Sequence, residues 1–346
     1  MSDRLKIVRT DRELECPLID KYFHDSGAEL VLLPDDVSED ELVAQTRDAD
    51  LLLMCYTPIT ERVFHNATRL KGVVKYGVGI DAIDFAAATA TKTPVVNIPE
   101  YAEETVAEGA FALMIALAKK LIPLQRTMRR DGWAWPESTW LGNDIAGKTV
   151  GLVGVGRIGK SMARMAGAGF RARVIGHDPS ASRQEMAAAG VEKIDSLHDM
   201  LAQCDFVSIH SVLKSETRHL IGEAELRCMK RSAFLINSAR GALVDEAALL
   251  SALKDNQIAG AGLDVFSQEP LSLSGHPLSD LFDMDNVLLS PHLTFYTHEA
   301  MQRLEEEVLQ RCKELLIGQP VLVKSRDSRL VSQQHGVIFD ARPGDA

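Results

Sequence analysis

The stretch Thr149-Val-Gly-Leu-Val-Gly154-Val-Gly156-Arg157-Ile158-Gly159-Lys-Ser-Met162 constrains the fold more than any other part of the chain. A short β-branched run leads into glycines at three fixed offsets, and helix-forming residues follow at once. The first glycine permits a tight turn, the second a close backbone approach to a pyrophosphate, and the third close contact of helix with strand. The helix then presents free N–H groups and the positive end of its dipole to phosphate. Glycine-rich turns that bind nothing share this spacing, so context decides. The context required is an acid ending the next strand, about 20 residues further on. Asp178 stands there, after Arg173-Val-Ile-Gly-His177. Its carboxylate suits ribose hydroxyls and repels a 2′-phosphate, and no arginine follows sooner than Arg183, which favours NAD over NADP.

Short apolar runs alternate with helical patterns along the chain. Before the glycine stretch they are Leu5–Val8, Glu29–Leu33, Ala49–Met54, Leu70–Val74 and Pro94–Asn97, with helices over Cys16–His24, Glu39–Thr46 and Thr60–Ala67. After it come Arg173–His177, Phe206–His210, Ala233–Asn237, Gly260–Phe266 and Val287–Ser290. Such alternation predicts an α/β protein with parallel sheets, and 346 residues allow two domains. Glu103–Asp131 reads as one long helical pattern that Pro123 kinks or divides, and Glu299–Leu316 as an amphipathic helix. The polar segment from Lys324 is expected to be flexible or wrapped on the surface.

Charge and cysteine usage exclude several classes. The net charge is −11 with no basic block, which argues against nucleic acid or an anionic membrane as main partner. Cys16, Cys55, Cys204, Cys228 and Cys312 are odd in number and widely spaced, with no C-x-x-C, so neither disulfides nor a metal site is expected. The longest apolar segment, Phe111–Ala118, is too short to span a bilayer. No signal peptide is read at the start, and a soluble, cytoplasmic protein is expected.

Nicotinamide chemistry on a hydroxyl or ketone needs a proton-exchanging group, a cation for the substrate and a group that tunes the acid/base. Three strand-end positions supply them. Arg240 follows Asn237-Ser238-Ala239, Glu269 lies in the loop after Asp264-Val-Phe-Ser-Gln, and His292 follows Ser290-Pro291. In an open α/β sheet ligands bind beyond the carboxyl ends of the strands, where these residues could converge.

On these four motifs, Gly154–Gly159, Asn237–Gly241, Asp264–Pro270 and Ser290–Leu293, the chain resembles the D-isomer specific 2-hydroxyacid dehydrogenases over roughly residues 5–322. The family includes lactate, glycerate, formate and 3-phosphoglycerate dehydrogenases. The resemblance implies His292 as general acid/base, Glu269 as the carboxylate that favours its imidazolium, and Arg240 as the residue holding the 2-oxo acid. It implies cofactor contacts at Gly154, Gly156, Arg157, Ile158, Gly159, Asp178, His210, Ser238, Ala239, Arg240, Asp264 and Thr105. It also implies a Rossmann-type NAD-binding domain, 101–296, inserted into a flavodoxin-like substrate-binding domain, 1–100 and 297–330, with 331–346 as a tail and the active site in the cleft between the domains. Lys75-Tyr-Gly-Val78-Gly79 resembles the substrate loop, whose N–H groups at Val78 and Gly79 would hold a carboxylate. The helix from Glu103 and the aromatic loop Trp133–Trp140 resemble a homodimerisation region of the NAD-binding domain.

The chain departs from phosphoglycerate-oxidising relatives in two places. Cys55-Tyr56-Thr57-Pro58 replaces an arginine-bearing loop, and Lys75 stands where the substrate loop usually has arginine. Tyr56, Lys75, Tyr76, Phe295 and Tyr296 are expected to line the cleft and to favour a small polar, hydroxylated or anionic 2-oxo/2-hydroxy acid. The alternatives are 3-phosphoglycerate dehydrogenase and an NAD-sensing, corepressor-like interaction protein of the same family; oxidation of a phosphonate is a third.

Overall fold

A computed structural model describes residues 4–340. Its contacts divide the chain into two units, one built from the segment up to Ala102 plus that from Thr297 onward, the other from Glu103–Tyr296.

In the first unit, five parallel strands are β1 (Lys6–Arg9), β2 (Glu29–Leu32), β3 (Leu51–Met54), β4 (Val73–Lys75) and β5 (Val95–Asn97). Their spatial order is β2-β1-β3-β4-β5, the flavodoxin-like doubly wound order. Helices Pro17–Asp25, Glu39–Thr46, Glu61–Asn66 and Phe85–Ala90 make the crossovers. β3 shows why a continuous apolar run marks a central strand. Leu51 to Met54 are all buried, because helices cover both faces of a parallel sheet.

In the second unit, the strands are β6 (Thr149–Val153), β7 (Arg173–His177), β8 (Glu192–Lys193), β9 (Phe206–Ile209), β10 (Phe234–Asn237), β11 (Gly260–Leu263) and β12 (Val287–Leu289). They lie in the order β12-β11-β10-β9-β6-β7-β8, all parallel. The strand order reverses between β6 and β9, which is the switch point where such sheets open a crevice. The pleat of β6 feeds two cores. Val150 and Leu152 pack with Phe111, Met114 and Met162, while Val153 packs with Met200, Leu226 and Leu249. Gly262 on β11 lets helix Glu103–Ala118 sit close, since a Cβ there would meet Leu113 at 3.1 Å.

One expectation about the elements needs correction. The long helix ends at Ala118 and a second begins at Leu121, with the break at Lys120 (φ 50°) and not at Pro123. Proline lacks an N–H, so it is tolerated only in the first turn, and Pro123 occupies that turn. As far as Asp340, the segment from Lys324 is wrapped against the first unit, one of the two forms expected of it. β13 (Val321–Val323) pairs in parallel with β14 (Val337–Phe339), and the Gln333 amide makes both backbone bonds to Val95 at the edge of β5, 2.7 Å from its N–H and 2.9 Å from its carbonyl. A side-chain amide thus covers a sheet edge that would otherwise be open to pairing. Several short elements, among them Phe85–Ala90 and β8, were too short to show a period in the sequence. Among the described residues no helix is long and apolar enough to cross a membrane.

β1 also carries a buried charge. Arg9, 1% exposed, makes a two-pronged contact with Asp20 at 2.9 and 2.8 Å and donates to the Leu14 carbonyl at 3.0 Å. Breaking a buried pair costs about 3–5 kcal/mol, less where one partner sees solvent, as Asp20 does. Asp20→Ala should therefore destabilise the first unit by about 2–3 kcal/mol. Urea unfolding followed by circular dichroism would show this as an earlier first transition, and an unmoved transition would exclude it.

Candidate functional site

The glycine turn sits at the carboxyl end of β6, at the switch point. Gly154 has φ +93°, and a Cβ there would meet the His210 carbonyl and the Ser211 nitrogen at 2.9 Å. At Gly159 a Cβ would meet the Gly154 carbonyl oxygen at 2.5 Å, so the helix can lie this close only without a side chain. Gly156 differs from both, because nothing lies within 4 Å of its absent Cβ. Helix Arg157–Arg164 begins there with no side chain capping its first N–H groups. Open backbone at the second glycine and an uncapped helix start together fit a pyrophosphate.

Asp178 faces the same turn. It accepts from the Val155 N–H at 2.9 Å and from the Ser180 and Ala181 N–H groups at 2.8 and 3.2 Å. An ionised carboxylate has about four acceptor sites, so capacity remains for ribose hydroxyls. Arg157 lies 3.6 Å from Glu103, and Thr105 is buried in the first turn of helix Glu103–Ala118. At the end of β9, His210 pairs through Nε2 with the Ser208 hydroxyl at 2.9 Å. Burial pushes its pKa down to about 4, so this imidazole stays neutral.

The three residues that the sequence singles out for acid/base chemistry, Arg240, Glu269 and His292, follow three further strands. After β10, the buried Asn237 side chain closes a small loop by donating to the Arg240 carbonyl at 2.9 Å and accepting from the Ala239 N–H at 3.1 Å. Within that loop the Ser238 hydroxyl is buried with no partner among the described residues, a vacant polar group suited to a cofactor. Gly241 lets this loop lie against the next one, since a Cβ there would come within 2.2 Å of Phe266 and Ser267 backbone atoms. Glu269, in that next loop, accepts from the Phe266 N–H and from His292 Nδ1, each at 2.9 Å. Burial pushes the Glu269 carboxyl up, but the bond and charge of His292, the Phe266 N–H and the charge of Arg240 outweigh it and hold the carboxyl below its ordinary range. His292 has φ +58°, a left-handed conformation costing a non-glycine residue about 1–2 kcal/mol.

Asp264 supplies the restraint that keeps it there. This carboxylate is wholly buried and accepts from the Leu293 and Thr294 N–H groups at 3.0 and 3.1 Å and from the Thr294 hydroxyl at 2.6 Å. Its own carbonyl accepts from the His292 N–H at 2.7 Å. Asp264 is turned into the histidine loop.

Of the substrate-side residues in the first unit, the structure brings Tyr56 and Lys75 together, with the Lys75 ammonium 5.5 Å over the Tyr56 ring and 3.2 Å from Cys55 Sγ. Val78 and Gly79 lie in the loop after β4, and no described residue accepts from their N–H groups. Tyr76 does not line a cleft. Its ring is fully buried and its hydroxyl donates to the Thr10 carbonyl at 2.5 Å, because the next side chain after β4 alternates into the core. Phe295 is buried too, edge-on to His292 and Tyr296, and of the pair only Tyr296 is exposed.

Two residues near these groups have no signal in the sequence. Asp11, buried after β1 in left-handed backbone, accepts from the N–H groups of Cys55, Tyr56 and Thr57 and from the Thr57 hydroxyl. His276 accepts from the Leu278 N–H at Nδ1 and donates from Nε2 to the Gln268 carbonyl, in the loop that carries Glu269. Asp11 acts across 44–46 residues, a separation that no short pattern spans.

A family model described as the NAD binding domain of D-isomer specific 2-hydroxyacid dehydrogenases matches residues 111–294. Glyoxylate reductase of Korarchaeum cryptofilum is 39% identical over 90% of this chain and 92% of its own. The TT0316 protein of Thermus thermophilus superposes with a TM-score of 0.82 at 32% identity, over 91% of this chain and 98% of that one. An NAD-complexed D-isomer specific 2-hydroxyacid dehydrogenase of Lactobacillus delbrueckii gives 0.73 at 30% identity, over 91% and 98%.

On the expectation that Asp178 meets the adenosine ribose, Asp178→Ala removes a carboxylate that would disfavour a 2′-phosphate. The variant should gain on NADPH relative to NADH by about tenfold or more, one lost charge-assisted contact being worth that much. An unchanged ratio of kcat/KM for the two cofactors would contradict the assigned contact.

Proposed function

The chain belongs to the D-isomer specific 2-hydroxyacid dehydrogenases and is an NAD-dependent enzyme; from that premise we propose that it reduces a small 2-oxo acid of the glyoxylate or hydroxypyruvate type to the 2-hydroxy acid. The observation that carries the proposal is the His292–Glu269 pair at 2.9 Å, with Arg240 close enough to lower the Glu269 carboxyl. The name of the Korarchaeum relative supports a small substrate.

Bound NADH supplies the hydride. In the proposed reaction Glu269 holds the proton on Nδ1, which leaves Nε2 of the imidazolium to protonate the carbonyl oxygen. The planar Arg240 guanidinium engages the carboxylate and the carbonyl, with a charge that is fixed at any working pH. The N–H groups of Val78 and Gly79 hold the carboxylate, and Tyr56 and Lys75 set which acid is preferred. In the oxidative direction neutral His292 takes the hydroxyl proton. We also place the protein in the cytoplasm as a homodimer. Exposed Leu121, Ile122, Met128, Trp133, Trp135 and Leu141 support an apolar contact through that region of the second unit.

NADH consumption with a panel of 2-oxo acids tests the reading directly. Glyoxylate or hydroxypyruvate should be turned over, and NADH binding without turnover of any member would defeat it. His292→Ala should lower kcat by about 10²–10⁴-fold while NADH still quenches protein fluorescence; undiminished turnover would exclude its role.

In the proposed reaction the Glu269 carboxylate, 2.9 Å from His292 Nδ1, is the counter-charge to the imidazolium. Reduction needs the imidazolium, so activity is present at lower pH and lost as pH rises. Glu269→Gln removes the negative charge, and the alkaline limb of the reduction profile should move to lower pH. A limb that stays in place would show that Glu269 does not tune the acid.

A further inference from the structure

We infer that Asn97 is a positioning residue for the substrate carboxylate, aiming the N–H of Gly79; this rests on the reading just proposed for the loop after β4. Asn97 ends β5 and stands in register with Lys75, the last residue of β4. Its side chain is 3% exposed, and Nδ2 donates to the Val78 carbonyl at 2.6 Å. One residue on, the Ile98 N–H donates to the Gly77 carbonyl at 3.1 Å. Two successive carbonyls of the loop are therefore tied to the end of the same strand.

A trans peptide places its N–H opposite its C=O in one plane. Tying the Gly77 carbonyl to β5 turns the Val78 N–H away from β5, and tying the Val78 carbonyl does the same for the Gly79 N–H. The first tie is backbone and any residue at 98 except proline would supply it. The second depends on the amide of Asn97. No described residue accepts from either N–H, so both stay available as a pair of parallel donors, the arrangement that a carboxylate oxygen accepts. Gly77 is needed for the same geometry. Its φ is +149°, and a Cβ there would meet the Lys75 ammonium at 2.7 Å.

The amide is locked in one orientation, because the flipped form would set Oδ1 against the Val78 carbonyl oxygen. Oδ1 itself is buried and meets no donor among the described residues. A residue kept only for packing would not leave a buried acceptor empty. The amide is retained for what its nitrogen does.

The test compares wild type with Asn97→Ala and Asn97→Asp by steady-state kinetics with glyoxylate, by NADH fluorescence titration, and by calorimetry of oxalate binding to the NADH complex. Asn97→Ala should raise KM for glyoxylate and weaken oxalate by about tenfold, the factor for one lost hydrogen bond of ordinary strength. Its NADH affinity should be unchanged and its kcat should fall far less than KM rises. In Asn97→Asp a carboxylate cannot donate, but a protonated carboxyl can. At this buried position, facing the Val78 carbonyl oxygen, the ionised form is disfavoured, so its KM should recover toward wild type as pH falls from about 8 to about 5, beyond any change in wild type. A merely structural role would lower kcat, NADH affinity and melting temperature together, with no recovery at low pH, and that result overturns the inference. Equal oxalate affinity in wild type and Asn97→Ala overturns it as well. Wild type that neither turns over 2-oxo acids nor binds oxalate would instead remove the reading on which it rests. Should Asn97→Ala fail to fold, the pH-dependent KM of Asn97→Asp decides alone.

Discussion

The conformation of the histidine loop in the second unit depends on one buried carboxylate. Asp264 ends β11, yet its oxygens bind the loop that follows β12, and the residue it restrains, His292, adopts a backbone conformation that the chain would not choose unaided. Three charge-assisted bonds, each worth about 1.5–3 kcal/mol, comfortably exceed the cost of the left-handed turn. The first unit uses the same device. Asp11, at the end of β1, spends its carboxylate on three successive N–H groups of the loop after β3. In both units a carboxylate at one strand end organises the loop of the adjacent strand. Parallel sheets make this possible because all their strands end on the same edge.

That edge also explains how much could be read from residues alone. The two sheets and their parallel sense were legible, since apolar runs such as Leu51–Met54 and Phe234–Asn237 are set by burial on both faces. The glycine turn was legible for a different reason, each glycine answering a steric demand that no other residue meets. Arg240, Glu269 and His292 could be picked out because each stands just beyond such a run. The features that escaped were relations that no local pattern encodes. Tyr76 reads as a polar aromatic in a loop, and only the pleat of β4 shows that it points inward. Gln333 sits in a polar tail, and only the neighbouring edge of β5 gives its amide a partner. Pro123 marked a break in the helix, but the stop lies upstream because proline suits the first turn of the second helix, Leu121–Asp131.

Electrostatics in the proposed site follow from where water is excluded. His210 and His292 both follow strands of one sheet, and their surroundings differ in kind. His210 has a hydroxyl for company and is driven neutral by burial. His292 has a carboxylate at 2.9 Å, itself kept ionised by a backbone N–H and by the charge of Arg240. One imidazole is thus withheld from proton exchange and the other supplied with a counter-charge for its protonated form. Two like side chains are sorted into different roles by their neighbours.

The same logic bears on how a small 2-oxo acid would be gripped. Its carboxylate carries a full charge and its carbonyl only a developing one, so the stronger donors must not all be spent on the ground state. Arg240 spans both groups in the proposed reading, while the donors assigned to the carboxylate alone are backbone N–H groups of a loop tied down at Gly77 and Val78. Neutral, fixed dipoles orient the substrate without adding charge that would favour it over the transition state. The cation is then free to strengthen its hold as the carbonyl oxygen gathers charge and Nε2 of His292 delivers its proton. A chain with net charge −11 can therefore handle an anion, because a few oriented donors at one sheet edge govern the local field.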